Sequence, residues 1–281
     1  MPHALLGARS HFSLTESILH IDQLVNYAAE KEYAFVELAD TMTLSGVTEF
    51  VTACAAKKLK PIVGVRLRVV SDATSKEQKG RADPPGTFYP KVYPINESGR
   101  RRLFEMLSRA YSPERFYYVA RLGYDDFREL MSHDDLIMRT GDMQGLFSLP
   151  DDEITALMTG IDGMRVFVDV CPIRTPYFDR INERAYQYAT EKARMVLISR
   201  PILYQYQELA DSRDVAATIL GNQKMSSPTR YIPWVRDFDL ANGNELGGHV
   251  TEMCKRIESL DTAEVYGRAT GVSRVFTDYL D

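Results

Sequence analysis

A chain of 281 residues, 44% hydrophobic and 26% charged, can bury one large α/β core or two small ones. Its 34 basic and 39 acidic residues leave a net charge of −5, which argues against a chain built for tight, sequence-independent nucleic-acid binding and leaves room only for weak or indirect DNA contact. No apolar run approaches the ~20 residues a bilayer span needs, and the N-terminus lacks the basic-then-apolar layout of a secretory signal, so no membrane association is expected and the expected compartment is the cytoplasm.

Helix and strand signals alternate along the chain. Ile21, Leu24, Val25 and Ala28 recur at i, i+3, i+4 and i+7, which predicts an amphipathic helix over 21–31. Phe35 to Leu38 reads as a short buried strand. Val47, Phe50, Val51 and Cys54 repeat the helical spacing, and Lys57-Lys58 stands at that helix's end. Val63, Val65, Leu67 and Val69 alternate with Arg66 and Arg68, predicting one strand over 61–70 with a polar face. Residues 71–87, with Pro84-Pro85-Gly86, read as a surface excursion. A helix over 100–111 turns Leu103, Leu107 and Ala110 inward. Strand 164–170, helix 179–194, strand 195–199 and helix 208–220 follow. Repeated β-then-α units imply a parallel sheet with helices outside, either a barrel or a doubly wound sheet. From about Met225 the pattern changes, and 245–260 and 263–279 look like terminal helices. The division expected is 1–224 and 225–281.

Cys54, Cys171 and Cys254 are far apart with no CxxC pair, so zinc-ribbon and disulfide frameworks are not expected. The chain contains no GxSxG, P-loop or GxGxxG. His11, His20, His133 and His249 form no closely spaced ligand pair and read as surface or hydrogen-bonded residues. The run Arg100-Arg101-Arg102 reads as a solvated face. The cluster Tyr111, Phe116, Tyr117 and Tyr118, beside Arg115 and Arg121, suits a protein interface, base stacking or buried core.

Three segments carry a resemblance: Gly7-Ala8-Arg9-Ser10-His11-Phe12-Ser13-Leu14, then Ala39-Asp40-Thr41 followed by Gly46, then Lys60-Pro61-Ile62-Val63-Gly64. With their spacing they resemble the PHP (polymerase and histidinol phosphatase) domain at the N-terminus of bacterial DNA polymerase III alpha subunits. There the segments read roughly HxHSxxSxxD, TDH followed by Gly, and KPIxGxE. The resemblance implies a distorted (β/α)7 barrel, here with a mostly helical C-terminal extension. In that family His, Asp and Glu ligands gather at the C-terminal ends of the strands to hold metal ions that activate a water against phosphate esters.

Carried over residue by residue, most of those ligands are missing. The HxH pair falls on Gly7 and Arg9, the following carboxylate on Glu16, and the His of TDH on Thr41, beside a retained Asp40. The Glu after KPIxG falls on Arg66, a reversal of sign. A later His, ahead of the Asn96-Glu97-Ser98-Gly99 turn, falls on Tyr89. The closing DxH falls on Pro201 and Leu203, and no Cys stands in 145–152. Glu16 alone keeps a plausible ligand, and two arginines in the same pocket would repel cations. The expectation is a vestigial pocket with no cofactor, in which Arg9 and Arg66 pair with Glu16, Asp40 or Glu37. The function implied is a catalytically inactive scaffold of a replication complex, either a free-standing subunit or a domain of a longer polypeptide. It would dock a DNA polymerase or proofreading-exonuclease subunit. Two alternatives stay open: a metal-dependent phosphoesterase or 3′–5′ exonuclease rewired around Glu16, Asp40, His11 and Asp169, and a decoy that binds a host replication subunit.

Overall fold

The computed structural model describes residues 4–76, 83–161, 165–220, 224–226, 238–240 and 252–256. Among them the strands are, in chain order, β1 (Ala4–Leu5), β2 (Phe35–Thr41), β3 (Lys60–Arg66), β4 (Val69–Val70), β5 (Lys91–Pro94), β6 (Leu122–Gly123), β7 (Leu136–Arg139), β8 (Val166–Val170) and β9 (Met195–Ile198). Seven of them form one curled sheet in the order β1-β2-β3-β5-β7-β8-β9, and β4 pairs with β6 apart from it. Among the described residues, the two edges of the curl meet at one bridge, between Ala8 and Ile202. Ile202 N–H donates to the Gly7 carbonyl at 3.1 Å, and Arg9 N–H to the Ile202 carbonyl at 3.1 Å. The result is a distorted seven-stranded α/β barrel.

Two expectations are corrected. The single strand over 61–70 is broken at Leu67-Arg68, and its second half joins the β4–β6 pair. The sheet is also not wholly parallel, because β5 runs antiparallel to both β3 and β7. The cause of both is the excursion after β4. It returns through Phe88, which exchanges backbone hydrogen bonds with Val69 at 3.1 and 2.9 Å, so Lys91 enters the sheet from the opposite end.

The helices are α1 (Ile21–Glu30), α2 (Val47–Ala56), α3 (Glu97–Ala110), α4 (Tyr124–Met131), α5 (Asp151–Met158), α6 (Pro176–Lys192) and α7 (Ala210–Leu220). Local chemistry fixes several ends. Asn96 accepts from Gly99 N–H at 2.9 Å to start α3. Thr175 caps α6 by accepting from Phe178 N–H at 3.1 Å, with Pro176 in the first turn. Val36 and Leu38 of β2 bury against Leu24, Val25 and Phe50 of α1 and α2, each fully buried aliphatic contributing about 1.5–3 kcal/mol. No helix among the described residues is long and apolar enough to cross a membrane.

Inside the curl, the period-two alternation of the strands stacks two layers. The lower layer is apolar: Phe35, Ile62, Tyr93, Ile137, Phe167 and Met195 come one from each of β2, β3, β5, β7, β8 and β9. Two residues further toward the mouth the same faces carry Glu37, Gly64, Lys91, Arg139 and Asp169. Gly64 is needed there, since a Cβ would lie 2.4 Å from the Tyr93 ring. The polar face expected of β3 therefore points into the barrel, with Arg66 2% exposed.

Of the expected C-terminal extension, residues 238–240 lie parallel to Leu203-Tyr204, with Leu203 N–H donating to the Phe238 carbonyl at 2.8 Å. Residues 252–256 are helical, and Arg256 reaches Glu183 of α6 at 2.8 Å. The rest of the helices expected at 245–260 and 263–279 lies outside the described residues.

Candidate functional site

The C-terminal ends of the parallel strands converge on a buried charged layer. At its centre, Arg139 at the end of β7 bridges two strands. Its Nη1 donates to Glu37 Oε2 at 2.6 Å and its Nε to Asp169 Oδ1 at 2.9 Å. Glu37 also accepts from Gly7 N–H at 2.7 Å and from the Tyr93 hydroxyl. Both carboxylates are solvent-free: Glu37 is 0% exposed and Asp169 1%. Burial pushes the Glu37 carboxyl up, but Arg139, Lys91 and the Tyr93 hydroxyl overcome it and hold the group below its ordinary value. For Asp169 burial prevails over Arg139, and the carboxyl is raised. Beside this bridge Lys91 Nζ donates to Asp142 Oδ2 at 2.8 Å and to Ser199 Oγ at 3.4 Å. Lys91, Arg9 and Arg66 outweigh burial at Asp142 and keep it ionised, well below the usual carboxylate range.

Nearer the mouth, Glu16 Oε2 gathers three donors: Thr41 Oγ1 at 2.8 Å, Arg9 Nη1 at 3.2 Å and Arg66 Nη1 at 3.3 Å. Burial works to raise its carboxyl, yet Arg66 and Arg9 together lower it. Arg66 also donates to the Met143 carbonyl at 3.2 Å and lies 3.8 Å over the Tyr89 ring. The Tyr89 hydroxyl donates to Asp83 at 2.9 Å. Arg213 of α7 donates through Nε to the Glu16 carbonyl at 3.0 Å.

The expected ion pairing of Arg9 and Arg66 is met by Glu16 alone. Asp40 does not pair with either arginine. It accepts from Ser10 N–H at 2.6 Å, Ser10 Oγ at 2.7 Å and Ser13 Oγ at 2.6 Å, and so ties the loop after β1 to the end of β2. Burial raises its carboxyl against these donors. Glu37 is taken by Arg139, which reaches it from the neighbouring wall. Leu203 is 0% exposed and accepts through its carbonyl from Ser17 Oγ at 2.9 Å, and Pro201 is buried beside it. Gly7 sits at φ +102°, with the Arg200 carbonyl oxygen 1.8 Å from where a Cβ would stand. Among the residues proposed for a rewired site, Asp169 belongs to the Arg139 bridge, and His11 packs against Phe12 and His20 at ring distances of 4.4 and 4.6 Å. Among the described residues, no group of three or more His, Cys, Asp or Glu is placed to hold a metal ion.

Lys91, Arg139, Asp142 and Arg213 were not found by sequence reasoning. Their partners are 51 and 102 residues away for Lys91 and Arg139, so no local spacing reveals them. The available signal was a charged residue that opens one short apolar strand, KVYP, and closes another, LIMR. The aromatic cluster is not core: Tyr111, Phe116 and Tyr118 are 53%, 43% and 53% exposed.

Comparison with known proteins agrees with this architecture. The family model described as PHP domain matches residues 6–168. DNA polymerase III subunit alpha of Yersinia pestis is 30% identical over 265 residues, 89% of this chain and 22% of that protein. The same subunit of Thermus aquaticus is 22% identical over 239 residues, 81% of this chain and 19% of that protein. The chain thus spans about a fifth of the length of these curated relatives. An amidohydrolase from Chromobacterium violaceum superposes with a TM-score of 0.50 at 12% identity, over 72% of this chain and 87% of that one, a likeness of fold. With more than half its length matched by the family model, the chain belongs to the PHP domain family.

Proposed function

We propose that this protein is a catalytically inactive PHP domain that serves a DNA replication complex as a scaffold, docking a polymerase or proofreading-exonuclease subunit. The observation that carries the reading is the use of Glu16, the one retained ligand candidate: its Oε2 is occupied by Arg9 and Arg66, both from ligand positions. A metal centre does not fit these residues. Protein guanidiniums stay charged, so Arg9 and Arg66 supply fixed positive charge where cations would have to enter. The carbonyl of Arg200 also fills the space that a ligating side chain at position 7 would need. Below the mouth, Lys91 and Arg139 pair with Asp142, Glu37 and Asp169, so these carboxylates are held by the protein's own cations.

What remains is a barrel whose relatives are DNA polymerase III alpha subunits. In this reading residues 1–224 are the barrel unit and 225–281 the extension, of which 238–240 and 252–256 contact the barrel. The test uses the full chain. It is incubated with Mn²⁺ or Zn²⁺, desalted, analysed for metal content and assayed on p-nitrophenyl phosphate and a 3′-recessed DNA duplex. The expected result is less than one metal per chain and turnover at the level of the buffer. Stoichiometric metal with turnover abolished by a chelator would overturn the reading.

A further inference from the structure

We propose that the arginine cluster at the barrel mouth, Arg9, Arg66 and Arg213, is an anion site that takes a phosphate group, with the Glu16 carboxylate as its built-in occupant. The inference goes beyond scaffolding, because it gives the altered pocket a ligand of the opposite charge to a metal.

The donors outnumber their acceptors. Each guanidinium carries five N–H donors and no acceptor. Arg9 is 1% exposed and uses Nη1 on Glu16, while its Nε and Nη2 are buried with no hydrogen-bond partner among the described residues. Arg213 is 4% exposed, and its Nη1 is buried without a hydrogen-bond partner among the described residues, in a long ion pair with Asp214 Oδ1 at 3.6 Å. Buried charged donors in native proteins are almost always satisfied, so unmatched ones point to a missing acceptor. The carboxylates nearby are committed elsewhere: Asp142 to Lys91 and Asp40 to Ser10 and Ser13. Arg9 and Arg66 therefore share a single carboxylate oxygen, Glu16 Oε2.

Glu16 is also the way in. Its side chain is 23% exposed, against 2% for Arg9, 3% for Arg66 and 5% for Arg213. It is the most exposed member of the cluster, and its outward rotation would release the Nη1 groups of Arg9 and Arg66 to an incoming anion, while Arg213 stays on the Glu16 backbone carbonyl. A tetrahedral phosphate matches the geometry better than a carboxylate. It offers separate oxygens to Arg9 and Arg66, which now share one, and guanidinium forks pair with such oxygens bidentately, while Arg213 adds positive charge beside them. The same chemistry serves free phosphate and the terminal phosphate of a nucleic acid strand.

The test is calorimetric titration of the full chain with inorganic phosphate against sodium chloride of matched ionic strength. It is repeated with Glu16→Ala and with Glu16→Ala/Arg66→Met, folding being checked by circular dichroism. Expected are saturable one-site binding by the wild type, affinity raised at least about tenfold in Glu16→Ala because the internal competitor is gone, and loss of binding in the double variant. Glu16→Gln replaces Glu16→Ala if that variant fails to fold. Competition by a 5′- or 3′-phosphorylated oligonucleotide would assign the phosphate to nucleic acid, and phosphate binding without such competition would assign it to the free ion. A phosphate response equal to that of chloride in both the wild type and the folded Glu16 variant would overturn the proposal.

Discussion

Replacing Arg139 by Met tests whether the barrel interior is held by its own cations. The side chain of Arg139 is 5% exposed and bridges Glu37 and Asp169, whose side chains are both 0% exposed. Methionine keeps most of the volume and removes the charge, leaving two carboxylates in the same solvent-free layer. Removing one partner of a buried ion pair costs about 3–5 kcal/mol, a large share of a total stability of about 5–15 kcal/mol. At about 2 °C per kcal/mol for a chain of this size, the midpoint should fall by about 6–10 °C at pH 7.5. The pH dependence follows from the cause. Without Arg139 the burial that already opposes ionisation at Glu37 and Asp169 is less compensated, and both folded-state carboxyls rise above their unfolded values. Raised carboxyls favour folding more as pH falls, so the deficit should narrow toward pH 5. Urea unfolding at pH 7.5 and pH 5 measures it. A deficit below about 1 kcal/mol at pH 7.5, or one equally large at pH 5, would refute the bridge as the source of stability.

Other outcomes follow from the same geometry. Gly7→Ala should cost at least about 3 kcal/mol, because a positive-φ backbone strain of about 1–3 kcal/mol is joined by overlap with the Arg200 carbonyl; a midpoint near wild type in urea would contradict the close approach. Asp40→Ala strips the acceptor from Ser10 N–H and two serine hydroxyls, costing about 1–3 kcal/mol, and hydrogen exchange at Ser10 and Thr41 should quicken while α4 is unchanged. The Glu16 carboxyl is held below its ordinary value of 4.5, so its stabilisation is present above pH 4.5 and is lost as pH falls through the lowered value. In Glu16→Gln the slope of stability against pH on the acid side should therefore flatten.

The parts of the fold that were legible in the sequence are those with one apolar face. Ile21, Leu24, Val25 and Ala28 mark α1 because its other face meets water, and the same holds for Leu103, Leu107 and Ala110 of α3. β5 and β7 are buried on both sides over four residues each, so KVYP and LIMR show no alternation to read. Reversal of β5 depends on a bridge between Val69 and Phe88 across a turn-rich excursion, which propensity does not encode. At the site, Gly7, Arg9, Glu16 and Arg66 were identifiable because their positions follow from a spaced motif. Lys91 and Arg139 were not, because a lysine or arginine at a strand end reads as a solvated terminus until the barrel closes over it. The aromatic run at 111–118 stayed open between interface, base stacking and core: the Tyr111 hydroxyl donates to the Met42 carbonyl at 3.1 Å while its ring lies exposed against Phe116, and composition alone does not separate such a surface from core.

Native mass spectrometry of the protein purified gently from its natural cells tests the central claim most directly, since bound metal and bound subunits are read in one spectrum. The account predicts a metal-free chain in stoichiometric complex with a polymerase or exonuclease subunit. Two or three bound Zn²⁺ or Mn²⁺ ions on the chain would contradict it.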